Sequence, residues 1–364
     1  MPTPLLRPDA GLDPLRPGYA DSVRGVLLGG ALGDASPRRA AAGVPEGLPA
    51  PDAAGGTADP VLRISTGTQL ALYTLDALQE VVEWANEGQG ADVTACLWLA
   101  YLRWLRGRGE PLPAEAPEPP PRRLDRHELL HAVRNPGGAV LAALRTGRMG
   151  EVERPVLPEA KGCGTVVRSA PFGLLPHVGR RTLAPLLIDG AALTHGHPEA
   201  QTAAAVHGFT VHAALRARLE GVDRPVAAAV AAAREAAAGL TRPVAETLEL
   251  LDRAVRAAGP GQPAPVGPTG PPGADRTAPA VLAAGLHAAL RAEAEDPGAA
   301  DPQALFRRAV TPGAPSAAVA GAVLGAAHGT AVLPVRWLAR LDARGIVEDA
   351  AGQWLRTVGA SAAA

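Results

Sequence analysis

Apolar residues recur every three or four positions along most of the chain, the spacing of one face of an α-helix. The clearest example is 68–87, where leucines, valines and a tryptophan alternate with polar residues. Further helices are predicted at 23–33, 92–106, 126–133, 138–146, 180–193, 199–220, 225–239, 243–258, 278–295, 302–310, 316–329 and 334–344. Two segments, 152–157 and 165–167, are at most short β-like pieces. The pattern therefore predicts an all-α fold.

Proline-rich stretches at 107–123 and 259–276 interrupt these helices. Proline removes a backbone donor and ends helices, so both stretches are predicted to be loops. Neither half of the chain has a helical pattern that would complete a separate domain, so the two stretches are interpreted as loops within one domain. No internal repeat is evident. The prediction is a loose N-terminal tail over 1–18, a single compact helical domain over 19–345 and a C-terminal tail over 346–364.

The composition narrows the possible functions. Hydrophobic residues make up 47% of the 364 positions but aromatic residues only 3%, so the core must consist of alanine, valine and leucine. The net charge of −1 gives no sign of a nucleic-acid-binding tract. Lys161 is the only lysine, and the abundance of arginine, alanine, glycine and proline indicates a bacterial, GC-rich genome.

The two cysteines, Cys96 and Cys163, are far apart in sequence and suggest neither a disulfide framework nor a metal site. The first residues contain proline and aspartate where a signal peptide needs an apolar run. No apolar segment is long and charge-free enough to span a bilayer. These features predict a cytoplasmic protein without a membrane partner.

Polar clusters at two predicted helix ends are candidate site elements. Gly33, Asp34 and Ala35 end the first helix, in which glycines recur every four residues. Ser65, Thr66, Gly67 and Thr68 open the long helix, where free backbone N–H groups and hydroxyls could meet a ligand. There is no carboxylate from Val61 to Leu75. A packed helix with a solvated aspartate is the alternative interpretation of the first cluster.

A glycine-containing loop carries the candidate ligand-binding residues Lys161, Gly162, Cys163, Gly164 and Arg168. Its N–H groups and flanking positive charges could wrap a phosphate or a ribose. An ordinary turn before the next helix is the alternative. No base for Cys163 is evident in the sequence, so a packed, unreactive thiol is favoured.

His195 and His197 flank Gly196, just before a proline suited to the first turn of a helix. A pair of histidines at this spacing can bind a metal, but Glu199 is the only acidic residue nearby. We therefore favour a hydrogen-bonding helix cap over a metal site.

Taken in order, these segments resemble the ADP-ribosylglycohydrolase family, which includes the dinitrogenase-reductase-activating glycohydrolase. The resemblance runs from about Arg24 to about Leu341. The matching positions are Gly33-Asp34-Ala35, then Gly162, Gly164, Arg168 and Pro171, then Thr194, His195 and Pro198, and finally Ala318, Gly321, Gly325, Pro334 and Trp337. The resemblance implies a single all-α domain and a cleft for ADP-ribose.

The resemblance also implies two Mg²⁺ ions held by two acidic motifs, and here the sequence departs from the family. The Thr-Asp-Asp-Thr motif aligns with Ser65-Thr66-Gly67-Thr68, and the second acidic motif aligns with 311–316, which contains no acid. Hydroxyls and carbonyls are neutral ligands, and Mg²⁺ sites are anchored by carboxylates. The expectation is that both ions are lost, with no metal site.

The sequence is consistent with three functions. The first is a pseudoenzyme that binds ADP-ribose, a related nucleotide or an ADP-ribosylated partner. The second is a metal-independent hydrolase of an ADP-ribosyl N- or O-glycosidic bond, with Asp34 as base and His195 as acid. The third is a scaffold protein that docks partners through the proline-rich loops near 111–121 and 260–272.

Overall fold

We analysed a computed structural model, which describes residues 11–35, 61–134, 137–259, 276–295, 301–310 and 314–360. Within these ranges the chain forms fifteen α-helices. They are α1 (Tyr19–Ala35), α2 (Thr66–Asn86), α3 (Val93–Gly107), α4 (Glu128–His131), α5 (Gly138–Leu144), α6 (Gly164–Val167), α7 (Arg180–Ala192), α8 (Pro198–Leu219), α9 (Pro225–Ala238), α10 (Ala245–Ala257), α11 (Ala278–Glu295), α12 (Pro302–Ala309), α13 (Ala314–His328), α14 (Val335–Leu338) and α15 (Arg344–Thr357). Short 3₁₀ helices span Arg123–Arg126, Ala170–Leu174 and Gly329–Val332.

The predicted all-α fold is confirmed. In the described ranges there are only isolated β-bridges, which join Leu12 to Pro176, Leu62 to Leu341 and Gly162 to Thr277. The two segments considered as short β-like pieces are not strands, because 165–167 lies inside α6 and 152–157 is irregular. No described helix has the length and apolarity needed to cross a membrane.

Two predicted helices are shorter in the structure. The helix expected at 126–133 is a 3₁₀ turn followed by the single turn of α4, and the one expected at 334–344 ends at Leu338. In both places another part of the chain bonds the backbone. The Gln69 side chain donates to the Ala132 carbonyl. Arg340 accepts a bond from the amide of Leu62, and the Asp342 amide donates to the Leu62 carbonyl.

Helices α1 and α13 pack with their backbones in close contact. A methyl group at Gly25 would lie 2.3 Å from the Gly325 carbonyl oxygen, and one at Gly29 would lie 2.3 Å from that of Gly321. Gly33 faces Ala317 in the same way. Such an approach is possible only without side chains, so the four-residue glycine spacing sets the distance between these helices.

Helix α8 forms the centre of the molecule. Every residue from Ala200 to Ala217 is buried, and the helix contacts α7, α9, α11 and α13. A helix enclosed on all sides needs no polar face, which explains why alanine dominates this segment. Its few polar side chains therefore meet the protein interior rather than solvent.

The C-terminal tail predicted at 346–364 is mostly the helix α15, and the prediction of a tail there was wrong. Trp354 is fully buried, and its indole N–H donates to the hydroxyl of Tyr19 on α1. Residues 361–364 lie outside the described residues, as do residues 1–10 of the predicted N-terminal tail. Leu12 in the remainder of that tail is buried, and its carbonyl accepts a bond from the His177 amide.

The first proline-rich stretch, 107–123, lies between α3 and the first 3₁₀ helix and is irregular after Gly107, as predicted. Residues 260–275 of the second stretch lie outside the described residues.

Candidate functional site

The end of α1 meets the beginning of α2. The Asp34 carboxylate is buried, and its Oδ2 accepts bonds from the Ser65 amide at 2.6 Å and from the Thr68 hydroxyl at 2.7 Å. Ser65 is the N-cap of α2, and its hydroxyl oxygen accepts from the Gly67 amide at 2.9 Å. A carboxylate beside a helix N-terminus is stabilised by the amides and by the helix dipole. Asp34 thus stabilises the start of α2.

The other two residues of this cluster are also in contact with protein. The Thr66 hydroxyl donates to the Arg134 carbonyl at 3.1 Å. A Cβ at Gly67 would lie 2.9 Å from Cγ1 of Val167 on α6, closer than real Cβ contacts. A side chain at position 67 therefore requires Val167 to move. Val167 of α6 thus lies against one of the two positions where the resemblance implies a carboxylate.

A second carboxylate, which the sequence analysis missed, lies beside the Ile64 amide. Asp342 Oδ1 accepts from that amide at 3.1 Å, and Oδ2 accepts from the Arg134 guanidinium at 3.1 Å. Asp342 directly follows residues 303–341, which contain no acid, and nothing in the local pattern marks it. Only the pairing of Leu62 with the chain around Leu341 brings it here.

The glycine loop is tied by its main chain to the beginning of α11. The Ala278 amide donates to the Lys161 carbonyl at 2.8 Å, and the Cys163 amide donates to the Arg276 carbonyl at 2.9 Å. The Lys161 ammonium lies 3.7 Å from Glu199 and is about half exposed. The Cys163 N–H is therefore engaged within the protein, while the Lys161 side chain still reaches solvent.

Burial raises the pKa of the Cys163 thiol. The Arg276 charge opposes this rise, and the Asp34 charge adds a smaller effect in the same direction as burial. A thiol with a raised pKa is a poor nucleophile at neutral pH. This agrees with the expectation of an unreactive cysteine.

Arg168 lies in the interior and not on the loop surface. Its guanidinium is 4.8 Å from the centre of the Tyr101 ring, and it donates to the Gly190 carbonyl at 3.1 Å and to the Thr194 hydroxyl at 2.8 Å. The residue is only 1% exposed. In this position Arg168 links α3, α7 and the segment before α8, and does not present its charge to a ligand.

Thr194, which accepts from Arg168, also contacts His195. The Thr194 oxygen lies 2.8 Å from His195 Nδ1, and both residues are buried. Arg168 donates to Thr194, so an arrangement in which Thr194 donates to Nδ1 and His195 carries its proton on Nε2 satisfies all three groups. Nε2 lies 3.6 Å from where a Cβ would stand at Gly162, so the ring faces the glycine loop.

His195 is neutral at ordinary pH. Burial, with a smaller contribution from the Arg168 charge, lowers its pKa to about 3. A neutral imidazole donates a hydrogen bond but cannot act as an imidazolium acid. His197 instead caps α8, because its Nδ1 accepts from the Glu199 amide at 3.2 Å. The cap predicted for this histidine pair is confirmed for His197.

These elements converge in space. Helix α6 contacts α2, α8, α11 and α13, and Gly33 adjoins Ala317 near the beginning of α13. Ser316 is buried, whereas Thr311, Pro312 and Gly313 of the aligned second motif lie outside the described residues.

A cavity of about 20 Å³ lies at this place, and Thr68 and Val167 are among the residues that line it. A larger cavity, about 320 Å³, lies elsewhere, between α2, residues 121–127 and α15.

The described residues do not fit the dinuclear Mg²⁺ centre that the resemblance implies. Among them, no group of three or more histidine, cysteine, aspartate or glutamate side chains is placed to hold an ion. Two adjacent Mg²⁺ ions need several carboxylates to offset their mutual repulsion. Asp34 is directed to the amide of Ser65 and the hydroxyl of Thr68. No metal-dependent step follows from this geometry.

The fold and the site together define a helical protein whose motifs meet where α1 ends and α2 begins. A family model described as ADP-ribosylglycohydrolase matches residues 15–363. The chain therefore belongs to the ADP-ribosylglycohydrolase family, and the resemblance noted in the sequence is confirmed.

One solved structure, titled "ADP-ribosylglycohydrolase-related protein complex", has the same fold. It is 24% identical in sequence, covers 94% of this chain and 99% of its own, and superimposes with a TM-score of 0.56. A search of curated protein sequences found no match. The roles assigned to individual site residues stay predictions.

Proposed function

We propose that this chain is a pseudoenzyme of the ADP-ribosylglycohydrolase family, which binds ADP-ribose, a related nucleotide or an ADP-ribosylated partner without metal-dependent hydrolysis. The observation that carries the proposal is the contact between Gly67 and Val167. A carboxylate at position 67, where the family motif places one, would require Val167 to move. The two Mg²⁺ ions of the family are accordingly proposed to be lost.

Ligand binding is supported by the orientation of His195. Its Nε2 lies toward the glycine loop, where a Cβ at Gly162 or Gly164 would be in ordinary van der Waals contact with the ring. Because the ring stays neutral, it offers one fixed donor to an acceptor such as a phosphate oxygen or a ribose hydroxyl. Arg168 acts through Thr194 as a positioning residue. Lys161 adds a positive charge at the exposed edge of the loop.

The metal-independent hydrolase is less well supported by this geometry. His195, with a pKa of about 3, has no proton to give as an imidazolium at neutral pH. Asp34, its proposed partner, accepts from an amide and a hydroxyl. A neutral His195 that only donates, and an Asp34 carboxylate that already accepts two hydrogen bonds, favour ligand binding over proton transfer.

Calorimetric titration with ADP-ribose tests the proposal. We expect saturable binding that weakens by about ten-fold or more in His195→Ala, since a buried hydrogen bond to a charged group contributes about 1.5–3 kcal/mol. Thr194→Val should weaken binding too, because it frees the His195 ring to change tautomer. Thr146→Val, which removes a distant hydroxyl bonded to the Ala143 carbonyl, is the control and should bind normally.

Two results would overturn the proposal. One is the absence of heat with ADP-ribose at high protein concentration, together with unchanged folding of the protein. The other is Mg²⁺-dependent release of ADP-ribose from an ADP-ribosylated substrate. Circular dichroism on each variant separates lost binding from lost structure.

A further inference from the structure

Three distant segments of the chain meet in a closed ring of hydrogen bonds beside the start of α2. The Ile64 amide donates to Asp342 Oδ1 at 3.1 Å, and the Arg134 guanidinium donates to Asp342 Oδ2 at 3.1 Å. The Thr66 hydroxyl donates to the Arg134 carbonyl at 3.1 Å. Because Ile64 and Thr66 are only two residues apart, these bonds join residues 64–66, Arg134 and Asp342 into one ring.

The ion pair between Arg134 and Asp342 is largely shielded from solvent. The two side chains are 13% and 11% exposed, respectively. Among the described residues the Arg134 guanidinium has no other ion-pair partner, and its Nε is buried without a hydrogen-bond partner. A shielded cation that loses its anion either moves to solvent or stays buried at a cost. The position of the Arg134 side chain therefore depends on Asp342.

The ring adjoins the residues of the motif site. The Ser65 amide, which follows that of Ile64, donates to the Asp34 carboxylate, and Ser65 is the N-cap of α2. Two consecutive amides are thus each bonded by a carboxylate from a different part of the chain. The residues at and before the N-cap fix how the chain enters a helix, so Asp342 and Asp34 together fix the start of α2.

The segment that ends at Arg134 lies against the first turn of α2. Two side chains of this turn donate to its carbonyl groups, Thr66 to that of Arg134 and Gln69 to that of Ala132 at 3.0 Å. Arg134 therefore contacts Asp342 through its guanidinium and α2 through its backbone. A displacement of Arg134 after loss of its anion would act on α2 directly.

We propose that Arg134 and Asp342 are positioning residues of the motif site, whose affinity for ADP-ribose depends on their ion pair through the backbone of residues 64–66. This inference rests on the proposed function, because it names what controls ligand affinity at the same site. It also gives the C-terminal segment a role there. The aligned second motif, 311–316, contains no acid, whereas Asp342 reaches the start of α2.

Hydrogen exchange tests the structural half of the proposal without any ligand. Asp342→Asn keeps the shape of the side chain and removes the charge that pairs with Arg134. We expect the amides of residues 64–68 to exchange about five-fold faster or more, while those of α8 stay protected. Asp252→Asn is the matched control, since it takes the carboxylate from Arg234 in a partly shielded pair between α9 and α10. It should leave residues 64–68 unchanged.

Calorimetric titration with ADP-ribose, well below the melting temperature of each variant, tests the other half. Asp342→Asn and Arg134→Met should each weaken binding by about five-fold. The double variant should bind no more weakly than either single variant, because all three break the same pair. Arg134→Lys keeps the charge and should retain most of the affinity. A purely structural contact would lower the melting temperature without changing the affinity in this pattern.

Three results would overturn the proposal. The first is unchanged exchange of residues 64–68 in Asp342→Asn, which would show that this carboxylate does not hold the segment. The second is full affinity for ADP-ribose in Asp342→Asn despite faster exchange. The third is a loss in the double variant equal to the product of the two single losses, which would mean that the residues act separately.

Failure of the proposed function gives a different result. If the wild-type protein does not bind ADP-ribose, the proposed function falls, and with it the dependence of affinity on the pair. The exchange measurement needs no ligand and still decides whether Asp342 fixes residues 64–66.

Discussion

The two ends of helix α2 differ in the number of charged side chains that they carry. At its N-terminal end, Ser65 to Thr68 carry no charge, and the neighbouring Asp34 accepts from an amide and a hydroxyl. In its C-terminal half, Asp76 is bonded by Arg103 at 2.5 Å and by Arg122 at 3.1 Å, and Arg122 also bonds Glu83 at 2.9 Å. One helix therefore has a neutral end and a charge-rich end.

This difference shows where the chain can stabilise carboxylates by itself. A buried carboxylate is unfavourable unless a cation or several donors compensate for its lost hydration. In the C-terminal half of α2, arginines of α3 and of the end of the proline-rich stretch supply the compensation. At the N-terminal end, the resemblance implies carboxylates that bind metal ions. Here hydroxyls and a glycine occupy those positions, in line with the proposed loss of the ions.

The largest effect is expected at the charged end. Arg103 is 1% exposed at its side chain and bonds both Asp76 and Asp125. Arg103→Met should destabilise the protein by about 3–5 kcal/mol, because two partly buried carboxylates lose their cation. Urea unfolding measures this. Arg344→Ala, which breaks an exposed pair with Glu348, should change stability by no more than about 0.5 kcal/mol. Equal losses in the two variants would contradict the contrast.

The second effect concerns restoration of the missing carboxylates. Thr66→Asp with Gly67→Asp should destabilise the fold by about 3 kcal/mol, since position 67 meets Val167 and both new charges are partly buried. Adding Val167→Ala should recover part of this loss. Neither variant should gain Mg²⁺-dependent hydrolysis of an ADP-ribosylated substrate. Activity in the double variant would show that the C-terminal segment still supplies a metal ligand.

The third effect tests whether Asp34 stabilises the start of α2. Asp34→Ala should destabilise by about 2 kcal/mol, because the Ser65 amide and the Thr68 hydroxyl lose an acceptor. Asp34→Asn keeps an acceptor and should lose less. Asp13→Ala removes an exposed carboxylate that bonds only the Leu15 amide among its known contacts and should be nearly neutral. If Asp34→Ala is as stable as Asp13→Ala, the cap assigned to Asp34 is wrong.

The smallest effect is the pH dependence from His195. Its pKa in the folded protein is about 3, well below the ordinary value near 6.5. The unfolded chain therefore binds a proton first, and stability is lost as the pH falls below about 6.5, by up to about 1.4 kcal/mol per unit. His195→Asn should reduce this slope by the contribution of one proton, while His207 and His212, whose pKa values burial lowers to about 4, keep theirs. Urea unfolding between neutral and mildly acidic pH measures the difference.

His177→Asn is the control for that comparison. His177 is exposed, and its φ of 58° is tolerated by asparagine. Its replacement should leave the slope unchanged. A wild-type slope in His195→Asn would mean that the ring is already charged in the folded protein.

The sequence predicted the helices whose apolar spacing is regular, such as α2, α3 and α8, to within about two residues. It also identified the glycines between α1 and α13. It failed where tertiary contacts decide the structure. α15 was missed because its burial depends on Trp354 meeting Tyr19, a partner more than 300 residues away.

The candidate site was predicted only in part, for the same reason. Asp34, Ser65 and Thr68 were identified as neighbours of the site, but their mutual hydrogen bonds depend on how α1 meets α2. The burial of Arg168 follows from Tyr101 and Thr194, which are distant in sequence. Asp342 reaches Ile64 across 278 positions. No local pattern reports contacts of this kind.

The most direct test of the account is calorimetric titration of the metal-free protein with Mg²⁺, in the presence and absence of ADP-ribose. We predict no saturable heat from Mg²⁺ in either case, because the neutral end of α2 offers no cluster of carboxylates. Two-site Mg²⁺ binding at micromolar concentrations, abolished by Asp34→Asn, would contradict the account and would make this chain a metal-dependent glycohydrolase.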